Sequence, residues 1–589
     1  MKGYRYTILA AFLMAASCPA FAQDLDPTVV VDRAYEGKLM EVHKPFLEMQ
    51  VPDSVTRFDL DFDYSVFDKP YRGAYEFNPY VLTMRPASAV EAPRQLYLKA
   101  GAGYTLHPLL DFVWALPFDE AFRMNVYGTH RSYVGNYRAF KPELPVDGES
   151  LVLKEWREAG GDHAYRMGYD LETRAGADAS YDWNAGSVRL DASYYGLASK
   201  DFLKTRHYDA LDVSAGVASK SSKDTYFMYD MNARYRFGVD AMEYAGAGER
   251  LGEHVFALDA VLGQVIDRKH NVLFDVGVEL AAYSHPVLST VAGEFHIVPH
   301  YVFSKDRWSV DAGIRLAKVM RSDTPGRMFS AKDQIVYPDI SAWFDAIPDA
   351  MRVYAHVGGG NRLDSYSSIM ERNHHFDMEF GRGLWPLMDF TVERVGTRIG
   401  LKGRIGPKFS YDLGAGYVNY ANAMLDAVVI GVPYPLEGTL HYLPAMGYAP
   451  YQKFNVALGW NWKMENLRFE GDMEYAYAFG LPQEGGLFAP AAFTGDVAFE
   501  YNWSRRIYAG VDCMFSTSRD GSVLDLRSGD VLDAVIPGYA DLGIYFEFAT
   551  SRTLSFWMRG GNLLNMTIQR NPLYSEKGLN FTLGVCLNL

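Results

Sequence analysis

Charged side chains recur at every second position in several segments of this 589-residue chain. Consecutive side chains of a β-strand point to opposite faces, so residues two positions apart share a face. Residues 391–404 place basic side chains on one such face, and residues 467–477 and 496–502 place acidic ones. The basic residues are Arg394, Arg398, Lys402 and Arg404, with Arg234 and Arg236 on another segment, and the acidic residues are Glu470, Asp472, Glu474, Asp496 and Glu500.

A strand face that carries full charges must border water or meet charges of opposite sign, because an unpaired buried charge is strongly unfavourable. We therefore predict that these faces form a charge-paired wall that holds water. The alternative is a polarised surface that binds or conducts a solute. No residue pattern in these segments specifies a ligand.

A second group of residues suggests metal binding. His374 and His375 are followed by Asp377 and Glu379. Adjacent strand residues point to opposite sides, whereas a metal ion needs converging ligands. We predict solvated loop residues here and no metal site. The sequence also lacks the nucleophile-elbow, phosphate-loop and zinc-protease motifs, so we predict neither an enzyme nor a bound cofactor.

The segments with one charged face have an apolar opposite face. The last segment shows this most sharply, with an apolar residue at each odd position: Phe581, Leu583, Val585, Leu587 and Leu589. In a soluble sheet such a strand would be an unprotected edge. In a membrane barrel it pairs with the first strand and turns its apolar face to lipid. The sequence thus predicts an all-β fold, a transmembrane antiparallel β-barrel.

The connections between the predicted strands alternate between short and long. The short ones fall at 184–186, 267–270, 304–307, 346–350, 406–408, 463–466, 504–506 and 551–552, and the longer ones at 135–162, 238–252, 359–389, 421–450 and 518–536. Outer-membrane barrels have short periplasmic turns and long outer loops. We predict about 22 strands within residues 95–589, with both ends of the barrel on the periplasmic side.

The first 94 residues differ from the rest. Residues 1–22 have basic residues, an apolar run and an A-x-A site, which is typical of a secretory signal peptide. Residues 23–94 contain regularly spaced prolines, which favour an extended segment. Within it Asp59, Asp61 and Asp63 share one face. We predict that this segment lies in or under the barrel as a stopper, because a lumen of 22 strands is too wide for side chains to fill.

Composition restricts the partners. The net charge is −15, which argues against nucleic acid. Aromatic residues make up 15% of the chain, which suits a membrane barrel whose partner is outer-membrane lipid.

Two stretches carry a resemblance to a known family. Asn562-Leu563-Leu564-Asn565, then Pro572-Leu573-Tyr574 and Gly578, resemble the C-terminal end of TonB-dependent receptor barrels. Residues 64–70 and 96–104 are similar to Bacteroidetes outer-membrane proteins that carry the same family label. Typical receptors have a folded plug domain before the barrel, and residues 23–94 are too few for one.

The resemblance implies a barrel in the outer membrane of a Gram-negative bacterium, with transport or channel activity. Thr28, Val29, Val30 and Val31 look like a TonB box, the peptide that pairs with TonB by strand addition. The alternative is a non-transporting accessory barrel in an outer-membrane complex, whose partner is an outer-membrane lipoprotein or another complex subunit.

Overall fold

In a computed structural model of the chain, the C-terminal five-sixths form a closed antiparallel β-barrel. The structure describes residues 95–589 except 105, 119–120, 141–149, 154–164, 201–204, 221–226, 242–249, 267–268, 286–289, 322–334, 377–388, 431–441 and 483–485. The predicted signal peptide, the TonB-box-like residues and the predicted stopper lie outside the described residues.

Twenty-two strands form the ring, which confirms the predicted fold and strand number. They are β1 (Leu96–Tyr104), β2 (Leu109–Leu116), β3 (Phe122–Arg138), β5 (Tyr165–Trp183), β6 (Gly186–Lys200), β7 (Thr205–Ser219), β8 (Phe227–Asp240), β9 (Leu251–Val265), β10 (His270–Ser284), β11 (Thr290–Lys305), β12 (Trp308–Arg321), β13 (Val336–Ile347), β14 (Met351–Asp364), β15 (Asp389–Ile405), β16 (Phe409–Ile430), β17 (Tyr442–Lys463), β18 (Leu467–Phe479), β19 (Phe493–Trp503), β20 (Ile507–Ser516), β23 (Tyr539–Ala549), β24 (Leu554–Gly561) and β25 (Asn580–Asn588).

The last strand closes the ring against the first. β25 pairs antiparallel with β1 over eight positions, from Tyr97 opposite Asn588 to Tyr104 opposite Phe581. Thus the seam leaves no strand edge unpaired, as a structure surrounded by hydrocarbon requires. Beside it, the His107 ring nitrogen Nε2 lies 2.7 Å from the Thr582 hydroxyl and adds a side-chain contact across the seam.

The strands alternate between an exposed apolar face and an inner face. On β25 Phe581 and Leu583 are exposed, whereas Thr582 between them is buried. On β15 Ile399, Leu401 and Ile405 are exposed in the same way. This period-two pattern gives the barrel an apolar outer band, and the polar residues between these positions line the lumen.

The two ends of the barrel differ. At one end, the turn face, neighbouring strands are joined by short turns such as 406–408, and β1 begins and β25 ends there. At the other end, the loop face, the connections are longer. β16 and β17 have 22 residues each, about twice the 9–11 that cross a bilayer, and therefore extend beyond the membrane on the loop face.

The loop-face connections contain ordered structure of their own. Within the described residues, three short strands, β4 (Leu151–Val152), β21 (Arg519–Asp525) and β22 (Val531–Ile536), and one helix, α1 (Tyr366–Arg372), lie outside the ring. The stretch 421–450 was predicted to be a loop; instead, residues up to 430 and from 442 continue β16 and β17 as a paired hairpin. Among the described residues no helix is long and apolar enough to cross a membrane.

Our first prediction concerns the terminal strand. The double variant Leu583→Asp/Leu587→Asp places two carboxylates against lipid, where a basic residue costs about 2–4 kcal/mol near the midplane and an acidic one somewhat less. We expect it to be lost from the outer-membrane fraction. The matched variant Cys586→Asp/Asn588→Asp places the same charges on the inner face of β25 and should assemble. Heat-dependent mobility of the barrel on denaturing gels measures both, and equal assembly would contradict the assigned faces.

A second prediction concerns which face is external. An epitope tag inserted after Gly438, in the stretch of chain between the loop-face ends of β16 and β17, should bind antibody on intact cells. A tag in the turn at Gly406 should bind antibody only after the outer membrane is permeabilised. The opposite result would invert the orientation of the barrel.

Candidate functional site

The basic face of β15 is interrupted by a β-bulge. Arg398, Lys402 and Arg404 alternate with lipid-facing residues and therefore point into the lumen. The ring of Tyr354 on β14 lies 5.9 Å from the Arg398 guanidinium and 5.7 Å from the Lys402 ammonium, within cation–π range. Arg394 is skipped in the pairing with both neighbouring strands. The bulge thus separates Arg394 from the other three, and the continuous basic face ends at Arg398.

The bulge also changes which residues of β15 face inward. One extra residue reverses the alternation, since the side-chain period of a strand is two. Between the bulge and the loop face, Glu393 and Thr391 point into the barrel and line a cavity there. The sequence does mark this point, because the apolar positions shift from Phe390 and Val392 to Val395 and Ile399, with two adjacent charged residues between them. The prediction of one continuous basic face overlooked this change of phase.

The predicted acidic residues lie on β18 and β19. Glu470 accepts hydrogen bonds from Arg468 at 2.7 Å and Asn461 at 2.9 Å, and Glu474 accepts one from Lys453 at 3.2 Å. Asp472 and Asp496 are opposite each other in the ladder. Glu500 belongs to a separate part of the wall, beside Tyr508 and Gly510. Part of this surface is therefore charge-paired along the wall.

Arg236 connects the wall to α1. Its guanidinium donates to both carboxylate oxygens of Asp212 at 2.7 and 2.9 Å and to Glu371 of α1 at 2.8 Å. Its neighbour Arg234 lies 3.3 Å from Asp212. The sequence predicted that Arg234 and Arg236 face inward. It did not predict that the loop-face helix α1 would contact Arg236 inside the lumen.

The helix α1 is held between opposite sides of the barrel. Its buried residues Tyr366, Ile369 and Met370 pack with residues of β6, β7, β9 and β10 and with Met424 of β16 and Met446 of β17. Eight ring strands lie between β7 and β16, so these contacts bridge the loop-face mouth.

Buried acidic groups of the wall fix the start of α1. Glu253 accepts hydrogen bonds from the Tyr208 hydroxyl at 2.8 Å and from the Ser367 backbone N–H at 3.1 Å. The hydroxyl of Tyr366 donates to Asp240. Such charge-assisted bonds are stronger than neutral ones, and they satisfy N–H groups that a helix start leaves without intrahelical partners.

We call the loop-face structure that closes the mouth the cap: α1, the upper β16–β17 hairpin, β4, β21, β22 and residues 486–491 and 562–579. β21 pairs in parallel with the end of β16, and β22 pairs in parallel with β4. A hydrophobic cluster joins these parts and includes Leu153, Val428, Phe488, Val523 and Leu573. The cap is consequently a second hydrophobic core, above the membrane and built from distant parts of the chain.

Asp426 is a buried charge within the cap. Its carboxylate accepts from Arg519 of β21 at 2.5 Å and from Arg372 of α1 at 3.3 Å. The side chain of Asp426 is almost fully buried. One carboxylate therefore ties the β16–β17 hairpin, β21 and α1 together.

The cap covers a cavity of about 740 Å³. It is lined by Arg362, Arg372, Arg519 and Arg570, by Glu393 and Asp426, and by uncharged residues that include Thr391, Tyr420, Tyr451 and Phe488. This volume falls in the range of small-molecule binding sites.

The paired histidines are part of the cap. Nδ1 of His374 lies 2.9 Å from Asp170 of β5, and the ring of His375 stacks on Tyr574 at 4.1 Å. Burial disfavours the charged form of His374, but the Asp170 carboxylate outweighs it and raises the pKa of His374. Asp377 and Glu379 lie outside the described residues. Among the residues described, no group of three or more His, Cys, Asp or Glu side chains could hold a metal ion. The histidines thus fasten the cap to the wall, in place of the solvated loop that was predicted.

Comparison with known proteins identifies the barrel class. No family model matches this chain, and no curated protein matches it. The FrpB iron transporter from Neisseria meningitidis (F5-1 variant) superposes with a TM-score of 0.57 at 9% identity, over 84% of this chain and 82% of its own. The siderophore receptor PirA from Acinetobacter baumannii gives 0.56 at 10%, over 84% and 80%, and the copper transporter OprC gives 0.56 at 10%, over 86% and 82%.

The fold is that of the TonB-dependent receptor barrels. Identities of 9–10% show a shared fold and no shared substrate. The matched barrels named here are two transporters and a siderophore receptor. A closed antiparallel barrel of 22 strands with an apolar outer band is the architecture of bacterial outer-membrane proteins.

The buried Asp426 generates our third prediction. Asp426→Asn leaves Arg372 and Arg519 without their shared counter-charge, and breaking a buried pair costs about 3–5 kcal/mol. We expect amide hydrogen exchange in residues 366–376 and 519–525 to rise by roughly a hundredfold or more while the ring strands keep their protection. The control Asp533→Asn removes an exposed carboxylate of β22 in the same cap, and it should change exchange little. Equal effects of the two variants would mean that Asp426 does not hold the cap.

Proposed function

We propose that this chain is a TonB-dependent-receptor-like transport barrel of the outer membrane, in which a solute passes through the lumen. The observation that carries the proposal is a lumen lined with polar and charged residues beneath a cap that is made only of loop-face segments. A ring of 22 strands is too wide for its own side chains to fill, so its interior can hold water and solute. The wall carries side chains of both charge signs, such as Arg398 and Glu470, which suits such a lining.

The cap would be the barrier at the outer mouth. Its contacts with the wall are a limited number of ion pairs and hydrogen bonds, among them Arg236–Glu371 and Ser367–Glu253, together with apolar packing. A solute that binds in the cavity below the cap would lie against both the cap and the wall. Transport would then require α1 or β21–β22 to move.

The predicted stopper and the TonB contact belong to the same proposal. Asp59, Asp61 and Asp63 would meet the inward Arg398, Lys402 and Arg404 by charge-assisted hydrogen bonds. Thr28 to Val31 would pair with TonB by strand addition and withdraw the segment. Both ideas remain predictions, because these acidic and TonB-box-like residues lie outside the described part of the chain.

An accessory barrel without transport is the second candidate. It is favoured by the extent of the cap, since the β16–β17 hairpin continues from the wall into the cap past an irregularity at residues 421–422, and residues 421–430 are all buried. A mouth sealed in this way suits a barrel whose outer surface binds a lipoprotein or another complex subunit.

Our fourth prediction separates the two candidates by conductance in planar bilayers. The ends of β20 and β23 pair at Ser516 and Tyr539, so residues 517–538 can be replaced by an Asn-Gly turn that removes β21 and β22. A second variant lacks residues 35–90, and a third combines both changes. If the lumen is a solute path, the combined variant should conduct well above the full-length chain.

The single variants test each barrier in turn. If removal of 35–90 adds conductance to the variant without β21–β22, the segment acts as a stopper; if it adds none, the stopper prediction is wrong. If all four proteins stay at the baseline, the lumen is not a path. The accessory role then becomes the better account, and co-purification from gently solubilised outer membranes would identify the partner.

A further inference from the structure

The cavity below the cap collects positive charge in an acidic chain. Arg362 comes from β14, Arg372 from α1, Arg519 from β21 and Arg570 from the loop between β24 and β25. The lining carboxylates are only Glu393 and Asp426 within the described residues, although the chain as a whole has a net charge of −15. Four separate segments thus bring their guanidinium groups to one space.

Two of these arginines are held in place by one acceptor. Asp426 binds both Arg372 and Arg519, and Arg519 also donates to the carbonyl oxygens of Ala489 at 3.2 Å and Arg570 at 3.5 Å. A guanidinium has five N–H donors, whereas a carboxylate has about four acceptor positions. The two arginines therefore have more N–H donors than Asp426 can accept. Arg372, whose side chain is 41% exposed and lines the cavity, has donors available to a ligand there.

The other two arginines are more open. Arg362 is 68% exposed and its Nε lies 3.2 Å from Asp364. Arg570 is 45% exposed, and its guanidinium is 3.6 Å from Asp541 and 3.8 Å from Glu576, beyond hydrogen-bonding distance. Planar guanidinium groups with unused donors match the geometry of carboxylate, sulfate and phosphate groups.

The rest of the lining is suited to an organic molecule. Tyr420 and Tyr451 stack with ring centroids 4.9 Å apart on the wall side, and Phe488 and Met424 face the same cavity. Thr391 and Asn361 add neutral polar groups. A cavity of about 740 Å³ accommodates a solute of a few sugar or amino-acid units, far more than a bare inorganic ion needs.

We propose that this cavity binds an anionic organic solute, with its carboxylate, sulfate or phosphate group held by Arg362, Arg372 and Arg570. The assignment rests on the proposed transport function and supplies its substrate class. Arg519 mainly holds Asp426 and the cap, since its side chain is only 15% exposed. A ligand that draws Arg372 away from Asp426 would also weaken the link between α1 and the β16–β17 hairpin.

The test is isothermal titration calorimetry on the full-length protein in a sugar-free zwitterionic detergent. The probes are trigalacturonate, the neutral trisaccharide maltotriose and inorganic phosphate. We expect trigalacturonate to bind at least about tenfold more tightly than the other two. Hydrogen bonds to its charged groups distinguish it from maltotriose, and contact of its sugar rings with Tyr420, Tyr451 and Phe488 distinguishes it from phosphate. Its affinity should fall as salt is raised.

Matched variants locate the site. Arg362→Gln/Arg372→Gln should weaken trigalacturonate binding by about tenfold or more. Arg123→Gln removes another partly exposed arginine, which pairs with Asp182 at the turn face, and should leave binding unchanged. Heat-dependent gel mobility confirms that each variant is a folded barrel.

Each other outcome overturns a stated part of the proposal. If maltotriose binds as tightly as trigalacturonate, the site does not require a charged solute. If phosphate binds as tightly, the site does not require an organic solute. If no probe binds, the cavity is not a binding site. Loss of binding in Arg123→Gln would place the site elsewhere. Binding and conductance are measured separately. If the protein conducts but does not bind the probe, only the proposed binding site is wrong. If it binds but no variant conducts, the proposed transport function is wrong.

Discussion

The need to pair every backbone N–H and C=O group within the membrane governs this structure. Hydrocarbon offers no hydrogen-bond partners, so the strands must form a closed ring, and the eight-position ladder between β1 and β25 completes it. Closure at 22 strands in turn creates a lumen that side chains cannot fill. The polar inner wall and the cap are both consequences of that width.

The cap covers the wide lumen, and its packing differs in kind from that of the wall. The wall buries each strand by pairing it with neighbours and by contact with lipid. The cap instead buries apolar residues from five loop-face regions in clusters of ordinary protein type, and it places one charge, Asp426, where two arginines meet. An apolar core gives the cap its stability, whereas the ion pairs determine which segments it connects.

The sequence predicted those features that depend on a local period. The faces of β25 and the lipid-facing side of β15 follow from alternation alone, because lipid is present along the whole strand. Arg394 departs from this rule, because a single bulge residue reverses the alternation, and its only trace in the sequence is the shift of the apolar positions between Val392 and Val395. The cap escapes for another reason. Val428, Phe488, Val523 and Leu573 come from segments far apart in the chain, and no local pattern predicts such distant contacts.

One signal for the cap was nevertheless present in the sequence. Residues 421–430 are apolar at both odd and even positions, with Asp426 and Asn422 as the polar exceptions. A strand with one face toward water does not have this composition, whereas a strand buried on both faces does. Reading that run as doubly buried would have predicted the hairpin and directed attention to Asp426.

The loop between β24 and β25 has a consequence for how material can leave the barrel. It lies across the short β1–β2 hairpin: Arg138 at the end of β3 donates to Thr567 at 2.5 Å and to the Asn565 carbonyl at 2.7 Å, and Ser575 donates to the Arg138 carbonyl at 3.0 Å. The seam is thus bridged above the membrane by the strands on either side of it. Parting β25 from β1 would also break this bridge, so opening the barrel sideways at the seam would cost the strand ladder and the loop contacts together.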